Sequence, residues 1–243
     1  MSTLSPRRAI VVFLWPLSDL LSGLDRCLGK PSSRRGGYRA LALVGLGLAA
    51  GWWAYVPIHE LLHAAGCLAA GGTVSRLEIS PVYGGALLER LVPFVEAGGD
   101  YAGRLSGFDD GGSDAVYLAT VFAPYLATLW PGVWALRRAG AAGRAFAFGF
   151  VVPVALAPFV ALPGDAYEIG SIVVTRLPPW TAWAETLRGD DVVLLVSELW
   201  GREGAPWGGV AAGVGVGVLW AFATYAAGVG VASLLGRPSR VRS

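Results

Sequence analysis

His59-Glu60-Leu61-Leu62-His63 sets two imidazoles and a carboxylate within one short stretch. On a helix the two histidines stand one turn apart on one face, where both can grip a single zinc ion. Glu60 lies beside them, close enough to take a proton from a metal-activated water and act as general base. Peptide hydrolysis needs that chemistry. The chain has only 2 histidines, and both stand in an apolar segment, where ionisable groups are costly and usually functional.

A catalytic zinc needs a third protein ligand and an open position. With no third histidine, that ligand is a carboxylate or Cys67. Asp165, in Leu162-Pro163-Gly164-Asp165 directly after an apolar stretch, is the best-placed carboxylate, and Glu168 one turn further on is the alternative. Asp165-Ala166-Tyr167-Glu168 also reads as a capping box opening a short helix toward Arg176. Cys67 follows His63 by one turn, but a small cysteine in an apolar helix usually serves packing. The acidic, glycine-flanked group Asp109, Asp110 and Asp114 reads as a solvated loop, as do Asp190 and Asp191. Cys27 and Cys67 are the only cysteines, which leaves no disulfide framework and no CxxC site.

The elements that must position these groups are membrane helices. The chain is 54% apolar and only 15% charged, so long uncharged stretches are inevitable. Crossing a bilayer takes roughly 20 apolar residues, and four stretches qualify: Tyr38 to Val56, Ala115 to Leu136, Ala145 to Leu162 and Trp207 to Leu235. The first apolar run, Ala9 to Leu24, is shorter, contains Pro16 and Asp19, and is flanked by arginines. It reads as an interfacial helix, since no small-residue cleavage site follows it as a signal peptide would require. Pro57 is expected to kink or break the helix that carries the histidines. Thr73 to Ile79 alternates apolar and polar residues, which predicts a small strand or hairpin. The expected fold is therefore an all-α multi-pass membrane protein with about four transmembrane helices, an N-terminal interfacial helix, and a small β-hairpin after the HExxH helix. Residues 1–37 form the N-terminal segment, 38–176 the membrane core, and 177–243 an outer loop, final helix and basic tail.

Charge sets the orientation. Of the 19 basic residues, 13 lie in residues 1–39, the Arg137 to Arg144 turn and the tail from Arg237; these segments hold only Asp19 and Asp25 among the 17 acids. The two kinds of connection alternate along the four stretches, which predicts cytoplasmic termini in a cell membrane and a site facing the other side. Asp165 and His59 then emerge on the same face. The basic segments are short, flank apolar spans and lack interleaved aromatics, so they suit anionic lipid and not nucleic acid. Two histidines also exclude a histidine-rich diiron enzyme. The small-residue pattern from Gly208 to Gly230 allows close helix contact within or between chains, so oligomeric state stays open.

These residues resemble the site-2 protease family of intramembrane zinc metalloproteases. There one helix carries HExxH and a later one carries an aspartate ligand in a Pro- and Gly-containing motif. The likeness covers roughly residues 40–170, including Ala69-Gly71-Gly72-Thr73 to Ile79, which resembles the turn into a strand that follows HExxH in that family. It implies His59, His63 and Asp165 as zinc ligands, Glu60 as general base, and a membrane protein or peptide as substrate. Tyr167 is a candidate donor to the oxyanion. The chain departs from the family pattern in having Ala166 where glycine usually follows the aspartate, no asparagine before it, and a site that the charges turn away from the cytoplasm. Two other readings stay open: a zincin with Glu168 as third ligand acting on exposed chains, and a non-catalytic zinc-binding scaffold or transporter with Glu60 as a fourth ligand.

Overall fold

The computed structural model describes residues 6–29, 34–189 and 191–235; Asp190 and the basic tail from Arg237 lie outside them. The chain is mostly helical and divides into two compact units, the first assembled from three separate stretches and the second from two.

The first unit comprises residues up to Gly51, Ala127–Leu156 and the stretch from Phe222. It contains α1 (Pro6–Leu28), the start of α2 (Arg34–Ala69), and the end of a final long helix, Trp207–Leu235. Cys27, Leu136, Ala139, Phe148 and Ala155 form its core, with Leu20 and Val44 packed against them. Glycines set the closest approaches. A Cβ at Gly47 would stand 2.1 Å from the Phe146 carbonyl oxygen, so backbones meet there directly. Asp19 accepts from Arg137 Nε at 2.7 Å and from the Tyr225 hydroxyl at 2.9 Å, both on Oδ2.

The second unit comprises Trp52–Leu126 and Ala157–Ala221. It holds the C-terminal half of α2, a three-stranded sheet, and the helices α3 (Asp114–Phe122), α6 (Tyr167–Val174) and α7 (Val192–Leu199). Between α3 and α6 the chain runs through α4 (Val133–Ala141) and α5 (Ala145–Ala155) of the first unit; Trp207–Leu235 is α8. Side chains cap α3 and α7. Ser113 Oγ accepts the Val116 N–H at 3.4 Å, and Asp191 Oδ1 accepts those of Val193 and Leu194 at 2.8 and 2.9 Å.

The strand expected at Thr73 to Ile79 is there, as β1 (Thr73–Ile79), but its surroundings differ from a hairpin. The sheet order is β2 (Val95–Ala97), β1, β3 (Gly103–Asp109). β2 runs parallel to β1, with Leu77 opposite Val95, and β3 is the antiparallel partner, with Val74 opposite Phe108. The reason lies in the connection. A hairpin needs a tight turn, whereas Ser80–Phe94 contains two short helical turns, Pro81–Tyr83 and Gly85–Leu88, and returns the chain to the starting end. Leu77, Ile79 and Val95 bury their side chains with Leu61 and Ala64, so the sheet braces one face of the HExxH helix. Trp53 Nε1 donates to the Val82 carbonyl at 2.6 Å, while Val82, Leu87 and Leu91 point outward.

Two of the four apolar stretches form single helices long and apolar enough to cross a membrane, α2 from Gly36 and α8. The other two are divided at prolines, which remove a backbone donor and clash with the preceding turn. α3 and the helical run that follows it from Tyr125 are bent by 48° next to Pro124, and make a third candidate span if taken together. α5 ends at Ala155, one short turn, Ala157–Val160, follows, and the chain leaves helical geometry at Gly164 (φ −105°, ψ −111°). Pro57, by contrast, does not break α2, which runs on for 36 residues. One lost bond is a small part of so long a ladder, and the flanking turns are held by packing.

Candidate metal centre

Every residue of the candidate site lies in the second unit. His59 and His63 project from one face of α2 and their Nε2 atoms stand 3.1 Å apart. Asp165 Oδ2 lies 3.0 Å from His59 Nε2 and 3.5 Å from His63 Nε2. Zinc bonds to nitrogen and oxygen of about 2.0–2.1 Å in a tetrahedron give ligand-to-ligand edges of about 3.3 Å. The three separations match that spacing.

The proton positions point the same way. His63 Nδ1 is 2.9 Å from the Thr120 carbonyl oxygen, which can only accept, so Nδ1 carries the hydrogen and Nε2 of the neutral ring presents a lone pair. His59 Nδ1 is 3.2 Å from the Tyr55 hydroxyl, which in turn donates toward the Pro124 carbonyl at 3.5 Å. Its Nε2 faces the same point. Asp165 Oδ2 is buried and accepts no hydrogen bond although two ring nitrogens are near it, because their protons are held on the other side of each ring. Three acceptor atoms aimed at one point suit a cation, and two imidazoles with one carboxylate are a zinc donor set.

Small residues make the arrangement possible. A Cβ on Gly66, one turn after His63, would stand 2.7 Å from the Ala119 carbonyl oxygen and 2.5 Å from the Ala123 Cβ. Close contact of α2 with α3 is what lets His63 reach Thr120. On the other side, Cβ atoms at Gly170 and Gly217 would meet the carbonyl oxygens of Gly213 and Ala166 at 2.0 and 2.3 Å, so α8 packs backbone to backbone behind the segment that carries Asp165.

Glu60 lines a cleft of about 590 Å³ together with His63, Asp165, Thr120, Val121 and five residues of β3. A Cβ on Gly103 would fall 2.4 Å from Glu60 Cγ, so only glycine leaves this carboxylate its place. Glu168, the alternative third ligand, lines the cleft as well but is not in the metal-binding group; it accepts a hydrogen bond from the Tyr117 hydroxyl. Cys67 is buried away from the group, its sulfur 3.5 Å from the Thr73 carbonyl oxygen. Tyr167 is not an oxyanion donor here: its buried hydroxyl donates to the Leu187 carbonyl at 2.7 Å, and burial pushes its pKa up to about 12.

The acidic loop binds itself. Asp109 and Asp110 accept the N–H groups of Gly111 and Gly112, and Asp114 takes Arg188 at 2.7 Å and Arg176 at 2.8 Å. Comparison with protein families, with curated proteins and with solved structures returns no match for this chain. The site therefore stands on its geometry alone. Residues that the HExxH reading did not reach are Tyr55, Thr120, Tyr117 and Gly103. Of these only Tyr55 left a trace in the sequence, one turn before His59 on the same face.

Proposed function

We propose that this chain is a membrane-embedded zinc metallopeptidase of the site-2 protease kind, hydrolysing peptide bonds in or next to transmembrane segments. The observation that carries the reading is the convergence of His59 Nε2, His63 Nε2 and Asp165 Oδ2 at one point, with His63, Asp165 and Glu60 all lining one cleft. Zinc held by those three residues would supply the Lewis acidity that polarises a scissile carbonyl and brings water into reach of deprotonation near neutral pH. Glu60 takes the proton of the attacking water and passes it to the leaving amine. Tyr55 and the Thr120 carbonyl keep both rings in the tautomer that turns Nε2 inward. β3 is an edge strand of the sheet, and an extended substrate segment can lie along it beside Glu60. A substrate helix must unwind to do so.

In this reading all four apolar stretches cross the bilayer, the middle two as broken helices whose freed backbone groups are satisfied inside the protein. Both termini face the cytoplasm, α1 lies in the interface, and the site opens on the opposite side. Elemental analysis of the detergent-purified chain tests the metal directly: about one zinc per chain is expected in the wild type and none in His59→Ala. A folded preparation without zinc in either would sink the reading. Glu60→Gln separates an enzyme from a zinc-binding scaffold, since a peptidase keeps its metal and loses turnover, while a scaffold with Glu60 as fourth ligand loses metal.

A further inference from the structure

Trp180, Trp183, Trp200 and Trp207 fall in or at the end of the stretch of the second unit that joins α6 to α8. That stretch packs on the first turn of α8. A Cβ at Gly208 would stand 2.6 Å from the Trp180 ring, one at Gly209 2.6 Å from Leu187 Cδ1, and the Trp200 ring meets the Trp207 ring edge-on at 6.5 Å between centroids. The two short turns, Trp180–Trp183 and Ala184–Leu187, and the end of α7 are thereby held level with the start of α8. α7 is apolar on two sides. Val192, Leu195, Val196 and Leu199 pack with Tyr167 and Val210, whereas Val193 and Leu194 are more than half exposed and Trp200, just past the helix, is 78% exposed. A helix with water on its outer side carries polar residues there. α7 supplies them only in its second turn, as Ser197 and Glu198.

We propose that α7 and the turns beside it form an interfacial anchor, in which Trp183, Val193, Leu194, Trp200 and Trp207 enter the headgroup region of the lipid leaflet from which α8 starts. The anchor rests on α8 crossing a membrane and not on the chemistry of the metal centre. At 1.5 Å per residue the 29 residues of α8 run about 43 Å, against a hydrocarbon layer of about 30 Å, so its end turns reach headgroup depth. Trp207 opens the helix, and an indole, apolar in its rings and polar at its N–H, suits that boundary. What packs against this turn shares its depth. Lipid is the occupant because the apolar surface runs on into the span: Trp207, Ala211 and Val214 lie exposed on one face of α8. The exposed charged residues between Trp180 and Trp207 are Glu185, Glu198, Glu203 and Arg202, so apolar insertion and not attraction to anionic headgroups drives the contact. Asp191, which caps α7, and Gly189 line the cleft of the metal centre, so the anchor sets that part of the cleft wall at headgroup depth. On the metallopeptidase reading, the bonds within reach are those where a substrate chain leaves the bilayer.

Depth-dependent quenching tests the anchor in the full-length protein, reconstituted in vesicles of phosphatidylcholine alone. A nitrobenzoxadiazole fluorophore is attached at Val193→Cys or Leu194→Cys, and at Leu219→Cys as a marker for the middle of α8. Cys27 and Cys67 are buried, and the wild type carried through the same labelling gives their background. At 193 and 194 the emission is expected in the blue and lost more to nitroxides high on the lipid chain than to nitroxides near its end; at 219 the order reverses. Emission typical of water at 193 and 194, quenched by iodide and not by either lipid nitroxide, overturns the anchor while a deep label at 219 keeps the span. Labels at 193 and 194 shielded from iodide and lipid alike mark a protein contact and overturn it too. A label at 219 open to iodide removes the span, and the anchor with it. The metal centre is tested apart from all of these, by its zinc content.

Discussion

Asp19 in the first unit and Asp165 in the second are carboxylates set among apolar helices, but groups of opposite kinds surround them. Asp19 Oδ2 takes a guanidinium at 2.7 Å and a phenol hydroxyl at 2.9 Å, both donors, so charge and hydrogen bonds are satisfied within the protein. Asp165 Oδ2 faces two ring nitrogens at 3.0 and 3.5 Å whose protons are committed elsewhere, so acceptor meets acceptor. Burying an ionised group is tolerable only when it is paired or coordinates a metal. The first unit meets that requirement by pairing, and the second holds a group of donors that could hold a metal ion. A structural ion pair and a metal site are thus told apart by where the protons sit, before any ion is considered.

The sharpest way to break the comparison is to remove an acceptor. His63→Ala or Asp165→Ala is expected to take the zinc content from about one per chain to none, and peptidase activity with it. If Asp165→Ala retains zinc and activity while Glu168→Ala loses both, the assignment of acceptors is wrong. Glu60→Gln comes next. Turnover is expected to fall by about 10²–10⁴ with zinc unchanged, as for loss of a general base. Gly103→Ala should reproduce part of that loss without touching any ligand, because its Cβ would fall 2.4 Å from Glu60 Cγ. A Gly103→Ala protein with normal turnover would show that Glu60 is not held where the reaction needs it.

The site and the fold were legible to different depths. HELLH is a local pattern, and helix geometry alone brings its histidines together, so the motif speaks before any tertiary contact is known. Asp165 is distant in sequence, and only the alternation of charge placed it on the same face. The groups that hold the rings were hidden for a physical reason: Thr120 contributes a backbone carbonyl, which no residue type announces, and Gly103 contributes an absence of side chain. The β1 strand was visible in its alternation, but its neighbours were not, because the helical turns at 81–88 that make β2 parallel carry no strand signal. Hydropathy counted four apolar stretches, and prolines at 124, 153 and 158 decide that two of them are not single helices. Pro57 shows the limit of that rule, since the same residue inside α2 leaves the helix continuous.

A smaller effect is expected from the groups that set the protons. Tyr55→Phe keeps the volume of a buried ring, 5% exposed, and removes only the hydroxyl that accepts from His59 Nδ1. Outer partners of this kind typically contribute 10–100-fold in metal affinity, so zinc should still bind at saturation but yield about that much more readily to a competing chelator. The proton on His63 rests on a backbone carbonyl, so no side-chain deletion removes it directly. Gly66→Ala does so indirectly by pushing α2 off Ala119 and Ala123. If Tyr55→Phe leaves chelator competition unchanged, the tautomer of His59 is set by something other than this hydroxyl, and the contrast between the two carboxylates is weaker than drawn.

The smallest effect belongs to the ion pair. Asp19→Asn leaves the Tyr225 hydroxyl an acceptor but deprives Arg137 of its counter-charge. Breaking a fully buried pair costs about 3–5 kcal/mol, and Arg137 keeps a third of its side chain exposed, so solvent screens part of the loss. About 1–2 kcal/mol of stability is expected to go, read as a lower unfolding temperature in detergent. Zinc content and the activity per zinc should stay at the wild-type level, because no residue of the metal centre belongs to the first unit. Loss of zinc in a folded Asp19→Asn protein would mean that the pair sets the metal site as well as the packing of its own helices, and the two carboxylates would then have to be treated as one system.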